Sequence, residues 1–298
     1  MAFRSPHLAA ELHLLLVALL WGAQFPLVKT VMAITTPANF MAIRFSMAVL
    51  LLIPVAWAKR ASWSNKVLWP GVLAGLFLFG VFITQTYGLV FTSASRSGFI
   101  TGLNVILVPL LTILIFRKMP GKFALIGSGL AFGGLYLLSA ADKTQGLPFN
   151  IGDVLTIGCA FLCAGHLLVL NWYSPRHDSF WLTMLQLLVV LAGSLIWAGL
   201  AGELTIQLPG RTLGIGLFLA VTCTIYAFWA MTWAQARTTA TRTAIIFALE
   251  PVFAALFAWW WLAERLGPIG LAGGGLILFG IVLAEVRPQL RDIQVPPS

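Results

Sequence analysis

The side chains of this sequence best suited to chemistry are a few ionisable and amide groups inside apolar stretches. Glu250 stands directly before Pro251 in such a stretch. Proline has no backbone N–H, so the helix around it leaves a carbonyl group free for water or another partner. A charged side chain inside a bilayer costs roughly 2.5 to 3.5 kcal/mol, and such residues commonly mark solute or proton pathways. Glu250 is therefore the leading candidate for a polar binding site.

Internal repetition of the sequence points to three further candidate site residues. Residues 92–137 align without a gap onto residues 238–283, an offset of 146 positions that matches Asn104 with Glu250. Upstream, an offset of 142 positions matches Gln24 with His166. Duplicated membrane bundles bind substrate near the midplane, at the interface between the copies. We expect these four side chains to meet there, although hydrogen bonds to neighbouring helices would also explain them. Other matched pairs are Arg96/Arg242, Glu11/Asp153, Lys29/Asn171, Arg44/Gln186, Gly127/Gly273 and Gly134/Gly280.

Aromatic and amide residues at nearby positions extend this candidate site. Trp21 precedes Gln24 by three positions and so shares its helix face. Other residues that we expect to line a cavity for an amphipathic or aromatic solute are Gln85, Tyr87, Tyr226 and Trp229. The consecutive residues 259–261, all tryptophan, favour an interfacial belt instead.

Two basic residues allow two interpretations. Lys29 and Arg44 lie a turn or two inside the ends of apolar stretches. They would either form an outer mouth, attracting carboxylates or pairing with Glu250 or Glu264, or anchor their helices at the headgroup level. Glu11 and Asp153 are expected to open helices, where the helix dipole accounts for them.

The elements that position these residues follow from composition. The chain is 60% hydrophobic and 9% charged, with a mean hydropathy of +0.95, which predicts an all-α integral membrane protein. Ten transmembrane helices are expected, beginning near Leu12, Ala38, Val67, Ala94, Phe123, Val154, Ser179, Leu213, Ala240 and Gly267. They form one membrane domain over residues 1–298, with five-helix repeats at 8–141 and 151–286 and a cytoplasmic tail at 287–298. The first stretch has no signal-peptide cleavage site and is expected to remain.

Charge distribution predicts the orientation. With the N-terminus inside, cytoplasmic segments would carry Arg4, Lys59, Arg60, Lys66, Arg117, Lys118, Lys122, Arg176, Arg237, Arg242, Arg287 and Arg291. The opposite loops would carry only Arg96, Lys143, Arg211 and Arg265. The positive-inside rule then predicts both termini in the cytoplasm. Because each half has five spans, the two repeats would be inverted, and a multi-pass protein of the inner (plasma) membrane is expected.

Other functional classes lack support in the sequence. The net charge of +9 is dispersed among loops that would meet anionic lipid, so we expect no nucleic-acid partner. Cys163 and His166 are one turn apart, but two ligands rarely make a metal site. The sequence contains neither a Walker motif nor His-Glu-x-x-His. We therefore expect neither an enzyme nor a bound cofactor or metal.

The segment Leu249-Glu250-Pro251-Val252-Phe253-Ala254-Ala255-Leu256, followed by Ala263-Glu264-Arg265-Leu266, resembles the drug/metabolite transporter superfamily, specifically its EamA-type ten-helix members. Trp21-Gly22 and Arg44-Phe45 match the same pattern, whereas Lys118 departs from the acidic residue usual in the first half. The resemblance implies export or exchange of small metabolites, among them amino acids, including aromatic ones.

The expected function is therefore secondary transport of a small-molecule solute by alternating access, within membrane lipids. Titration of Glu250 would couple transport to protons, whereas a permanently paired Glu250 would leave a facilitator. A lipid flippase or a channel-like facilitator of the same fold is the alternative. The glycine-rich fifth and tenth spans indicate close helix packing or a homodimer.

Overall fold

The described part of the chain is helical, without strands, in the computed structural model. It comprises residues 6–116, 149–205, 209–238 and 249–285, with isolated residues between 123 and 137 and between 243 and 247. Helices satisfy every backbone group within the segment, as a bilayer requires. The helices are α1 (Pro6–Met32), α2 (Pro37–Ala58), α3 (Leu68–Phe91), α4 (Ala94–Thr101), α5 (Asn104–Phe116), α6 (Ile151–Tyr173), α7 (Ser179–Leu200), α8 (Gly210–Leu219), α9 (Ala227–Gln235), α10 (Glu250–Leu262) and α11 (Pro268–Glu285).

Length and hydropathy identify the membrane-spanning elements. Within the described residues, six helical stretches are long and apolar enough to cross a bilayer: Leu8–Met32, Pro37–Ala58, Asn65–Phe91, Ile151–Arg176, Ser179–Leu200 and Gly210–Gln235. Ala94–Val108 and Pro268–Gly280 are shorter apolar helices. These elements confirm an all-helical membrane protein. Much of the predicted fifth span, the beginning of the ninth and the tail at 287–298 lie outside the described residues.

Two predicted spans are not continuous α-helices. The fourth is interrupted between α4 and α5, where the Leu103 N–H donates to the Ile100 carbonyl at 3.1 Å, a bond of 3₁₀ spacing. Gly102 lies in the interruption, where its high conformational freedom disfavours a regular helix. The eighth contains a π-helical segment, Ala220–Tyr226, between α8 and α9. Wide turns of this kind occur often at functional sites.

Two sequence expectations about charged residues were wrong. Glu11 does not open a helix, because α1 already begins at Pro6, where proline suits the first turn. Arg96 does not lie in an exposed loop, because it is buried within α4. Asp153 does lie in the first turn of its helix, where it and Asn150 form a reciprocal capping box.

The helices of the first half pack between those of the second. α3 packs against α6 and α7, α2 against α7 and α8, and α1 against α9 and α10. Glycines allow close approach at several crossings, since an added Cβ at Gly71 would lie 2.5 Å from Leu185 Cβ. One at Gly134 would lie 2.5 Å from the Gly273 carbonyl oxygen. The predicted glycine-rich spans therefore meet within the chain at that point.

Candidate functional site

A buried cavity lies among α1, α3, the end of α4, α5, α6, α9 and the beginning of α10. The cavity has a volume of about 40 Å³. This is enough for a few water molecules, since each water needs roughly 10–15 Å³ on the same measure. Six of the predicted site residues line it: Trp21, Gln24, Gln85, Asn104, His166 and Glu250. All four members of the two repeat-matched pairs are among them. The structure thus brings the main sequence candidates to one site.

Glu250 is the acidic group of this cavity. It is 4% exposed and begins α10, followed by Pro251 in the first turn. Its carboxylate makes no hydrogen bond or ion pair with any residue that the structure describes. Removing a carboxylate from water without a partner is costly. A group that enters the cavity with a positive charge or a hydrogen-bond donor would offset that cost.

The interruption between α4 and α5 supplies two more polar groups. Thr101 ends α4 and Asn104 begins α5, and both line the cavity. Thr101 Oγ1 and Asn104 Oδ1 are buried without a hydrogen-bond partner. The equivalent interruption precedes α10, where the Leu249 N–H donates to the Ile246 carbonyl at 3.2 Å. Breaks at equivalent positions of the two halves therefore flank the cavity.

Arg44 orients Gln24 from the side that faces away from the cavity. The Arg44 Nη2 donates to Gln24 Oε1 at 3.1 Å, and its Nε donates to Thr224 Oγ1 at 2.9 Å. The guanidinium lies 5.0 Å from the centre of the Phe82 ring, a cation–π distance. Because the Gln24 oxygen is engaged, its amide N–H groups remain for the cavity. The Arg44 charge itself is held behind the cavity wall.

His166 is oriented in the equivalent way in the second half. Its Nε2 lies 2.6 Å from Gln186 Oε1, and Gln186 Nε2 donates to the Leu182 carbonyl at 2.9 Å. Since the glutamine oxygen only accepts, His166 Nε2 carries the proton in this contact and its Nδ1 is an acceptor. The same helix pair in each half thus joins a cavity residue to one that supports it.

Aromatic rings form much of the remaining wall. Trp21 Nε1 donates to the Cys223 carbonyl in the π-helical segment at 3.1 Å, which fixes the indole against Phe228 and Phe247 at centroid distances of 5.3 and 5.1 Å. The other apolar lining residues are Leu78, Val81, Phe82, Leu167 and Met231. A polar centre within an apolar, aromatic wall suits a small amphipathic solute.

Three predicted lining residues lie elsewhere. Tyr87 accepts a hydrogen bond from Trp197 Nε1 at 2.9 Å on an exposed surface. Tyr226 bonds to His13 Nδ1 at 2.7 Å, and Trp229 lies against the same histidine at a centroid distance of 6.1 Å. Their helices were correctly chosen as neighbours of the cavity, but these faces point away from it. These three residues are not part of the lining of this cavity.

Lys29 and Arg44 both bond to neighbouring helices. Lys29 Nζ donates to the carbonyl oxygens of Leu89 and Thr92 at 2.6 and 2.8 Å, at the end of α3. Among the residues that the structure describes, Arg44 contacts neutral side chains and forms no ion pair with a carboxylate. Glu264 instead accepts from the backbone N–H groups of Ala94 and Ser95 at 3.0 Å, and so caps α4.

A buried ion pair outside the cavity was missed. Arg96 Nη2 lies 2.5 Å from Asp153 Oδ2, and Asp153 also accepts from Thr92 Oγ1 at 3.0 Å and the Asn150 N–H at 3.0 Å. The repeat offsets gave the signal, since both residues have a charged counterpart of the same sign in the other half, Arg242 and Glu11. Thr101, Phe82 and Phe228 were also missed in the cavity, because their types are common in apolar helices.

Comparisons with known proteins identify the family. The model of the EamA-like transporter family matches residues 8–140 and again residues 150–285. An uncharacterized transporter of Archaeoglobus fulgidus is 34% identical over 94% of this chain and 87% of its own length. The uncharacterized transporter YvbV of Bacillus subtilis is 27% identical over 96% of this chain and 94% of its own.

A solved structure agrees in fold. A protein crystal structure with a TM-score of 0.69 and 17% identity covers 93% of this chain and 96% of its own. The family model covers both halves of the sequence, and the helices around the cavity are those of an integral membrane protein. The chain therefore belongs to the EamA-like transporter family.

Proposed function

We propose that this transporter moves a small solute across the plasma membrane by alternating access, with the cavity around Glu250 as the binding site. The observation that carries the proposal is a buried carboxylate without a hydrogen-bond partner among the described residues, in a cavity walled by both halves of the chain. A structural carboxylate would have a partner. An enclosed site between two halves is what a carrier needs, since each half can move away in turn.

We further propose ten spans arranged as two inverted five-helix repeats with both termini in the cytoplasm. Two hydrogen bonds support the repeat: Gln24 with Arg44, and His166 with Gln186, each twenty positions apart along the chain. The helices α5 and α10 begin at Asn104 and Glu250, which the sequence repeat also matches. The excess of basic residues in the inner loops supports the orientation.

The solutes we propose are small metabolites, including amino acids and aromatic ones among them. The aromatic wall of Trp21, Phe228 and Phe247 supports an apolar portion in the solute. Protonation and deprotonation of Glu250 would couple transport to a proton gradient, because this group meets both halves of the chain at the site. The cavity as it stands admits only a few waters, so loading such a solute requires the helices to separate.

Counterflow into proteoliposomes tests the proposal. Labelled amino acids and small cations would be offered to vesicles preloaded with unlabelled solute, with and without a pH gradient. We expect saturable uptake that internal solute accelerates, lost in Glu250→Gln and retained in the matched control Glu264→Gln, whose carboxylate caps α4 away from the cavity. Unsaturable flux would indicate a channel, dependence on lipid headgroups would indicate a flippase, and normal counterflow in Glu250→Gln would contradict the site.

A further inference from the structure

We propose that the solute of this cavity carries a protonated amine, which binds between Glu250, Asn104 and Thr101, and an apolar body that lies against the aromatic wall. The inference rests on the proposed function, since it names the class of solute for the same site. It follows from which hydrogen-bonding atoms the cavity leaves unused.

Apart from the neutral amide N–H groups of Gln24, the unused polar atoms on which the inference rests are acceptors or can act as acceptors. The Glu250 carboxylate has no hydrogen-bond partner among the described residues, and Asn104 Oδ1 and Thr101 Oγ1 are likewise unpartnered. When a bound cation keeps it ionised, the Glu250 carboxylate only accepts, as does an amide oxygen, whereas a hydroxyl accepts or donates. His166 adds a further acceptor at Nδ1, because its Nε2 donates to Gln186. An ammonium group offers three donors and one positive charge, and so matches this set.

The cavity offers little to a carboxylate on the solute. Its described lining contains no lysine or arginine. The nearest guanidinium, on Arg44, is engaged by Gln24 and Thr224 and lies behind the wall. Gln24 is left with amide N–H groups, which are neutral donors. An anionic group placed beside Glu250 would therefore meet a like charge with no buried cation free to offset it.

The apolar wall completes the recognition. Trp21, Phe82, Phe228 and Phe247 line the cavity, and the faces of aromatic rings attract cations as well as apolar groups. A bound ammonium would also remove the cost of leaving the Glu250 carboxylate buried and unpaired. The site thus gains both from the charge and from the hydrocarbon of an amine.

A series of solutes with one shape and different charge tests the inference. Isobutylamine, valine and 3-methylbutanoate share one branched body and carry an ammonium group, both charges and a carboxylate, respectively. Binding to the purified full-length protein in detergent at neutral pH would be measured by calorimetry. Since a charge-assisted hydrogen bond contributes about 1.5 to 3 kcal/mol, we expect isobutylamine to bind roughly tenfold or more tightly than 3-methylbutanoate, with valine between them.

Two variants sharpen the test. Glu250→Gln should weaken isobutylamine binding by about tenfold or more, while the matched Glu264→Gln should bind it normally. Thr101→Val removes a hydroxyl that has no partner, so it should melt at or above the temperature of the unmodified protein and still bind the amine more weakly. A structural role for Thr101 would not separate these two readouts.

The outcomes separate this inference from the proposed function. Equal or tighter binding of valine or 3-methylbutanoate, no binding of the amine, or amine binding that survives Glu250→Gln would overturn the inference. If Glu250→Gln does not fold, the three-solute series on the unmodified protein still tests the inference. Saturable counterflow of an anionic solute would overturn the amine assignment and leave the transport proposal intact, whereas failure of counterflow with every solute tested counts against transport itself.

Discussion

Asp153 and Glu250 are both carboxylates removed from solvent, yet their surroundings differ. Asp153 is 0% exposed and is bound by the Arg96 guanidinium, the Thr92 hydroxyl and the Asn150 N–H. Glu250 is 4% exposed and has no such partner among the described residues. Burial alone therefore does not distinguish a structural acid from a binding site in this chain. What distinguishes Glu250 is that it combines unused hydrogen-bonding capacity with a place in the cavity lining.

The Asp153 region joins three helices at one end of the bundle. Thr92 follows α3, Arg96 lies in α4 and Asp153 in the first turn of α6. The helices approach closely there, because a Cβ added at Gly152 would lie 2.6 Å from the Gly88 carbonyl oxygen. The Asp153 carboxylate, which accepts from three groups between tightly packed backbones, holds these helices together. The cavity, by contrast, is lined by polar groups that have no hydrogen-bond partner among the described residues, which leaves them available to a solute.

Neutralising Asp153 should have the largest effect on stability. Asp153→Asn leaves Arg96 buried without its carboxylate, which should lower the free energy of unfolding by roughly 3 to 5 kcal/mol. Thermal unfolding in detergent would measure it. The control is Asp178→Asn, which keeps the cap of α7 and alters only an exposed pair with Lys59 at 3.7 Å, a change of about 1 kcal/mol or less. Equal melting temperatures of the two variants would show that the buried ion pair does not stabilise the fold.

Adding one methyl group should destabilise the same two regions by different amounts, because their backbones are packed differently. Gly152→Ala would press Cβ against backbone atoms of Gly88 and Thr92, and we expect a loss of about 1 to 3 kcal/mol. At Gly102, beside the cavity, the added Cβ would meet Pro251 Cγ at 2.5 Å, a ring edge that can shift with the start of α10. Thermal unfolding should therefore show a smaller loss for Gly102→Ala. The reverse order would mean that the cavity end is the more rigid one.

Tyr226→Phe should have a moderate effect on stability and none on solute binding. It removes the hydrogen bond between the Tyr226 hydroxyl and His13 Nδ1, worth about 0.5 to 1.5 kcal/mol. Because this pair lies outside the cavity, the half-saturating solute concentration in counterflow should not change. A large change in that concentration would show that Tyr226 contributes to solute binding, although it does not line the cavity.

Glu250→Gln should have the smallest effect on stability and the clearest effect on transport. The carboxylate has no hydrogen bond to lose within the described structure, so the free energy of unfolding should change by less than about 1 kcal/mol. Thermal unfolding and counterflow would be measured on the same preparation. Substantial destabilisation would show that Glu250 has a structural partner, as Asp153 does.

The sequence predicted the membrane character and most of the polar site, because both follow from composition and from the internal repeat. Glu250 was found as an ionisable residue beside a proline within an apolar stretch, and the two constant offsets then pointed to Asn104, Gln24 and His166. The faces of the surrounding helices were harder to predict. Tyr226 and Trp229 do not line the cavity; Tyr226 ends the π-helical segment at Ala220–Tyr226 and Trp229 follows it, and a local sequence pattern does not specify such a turn.

The missed contacts were long-range ones. Arg96 and Asp153 are far apart along the chain, and each has a sufficient local explanation, a loop charge or a helix-capping acid. Only the folded arrangement of α4 and α6 joins them. The unpartnered state of Thr101 was equally hidden, because threonine is common in membrane helices and its partner depends on the neighbouring chain.

The natural cysteine in the cavity wall provides the most direct test that the solute occupies this site. Cys163 lines the cavity, and Cys159→Ala with Cys223→Ala would leave it as the sole thiol, since the sequence has three cysteines. Labelling by a small membrane-permeant maleimide would be timed with and without a transported solute. As a control, Ser64→Cys in a cysteine-free background reports on an exposed loop. We predict that solute slows labelling at Cys163 alone; labelling of Cys163 at an unchanged rate under saturating solute would contradict the cavity as the binding site.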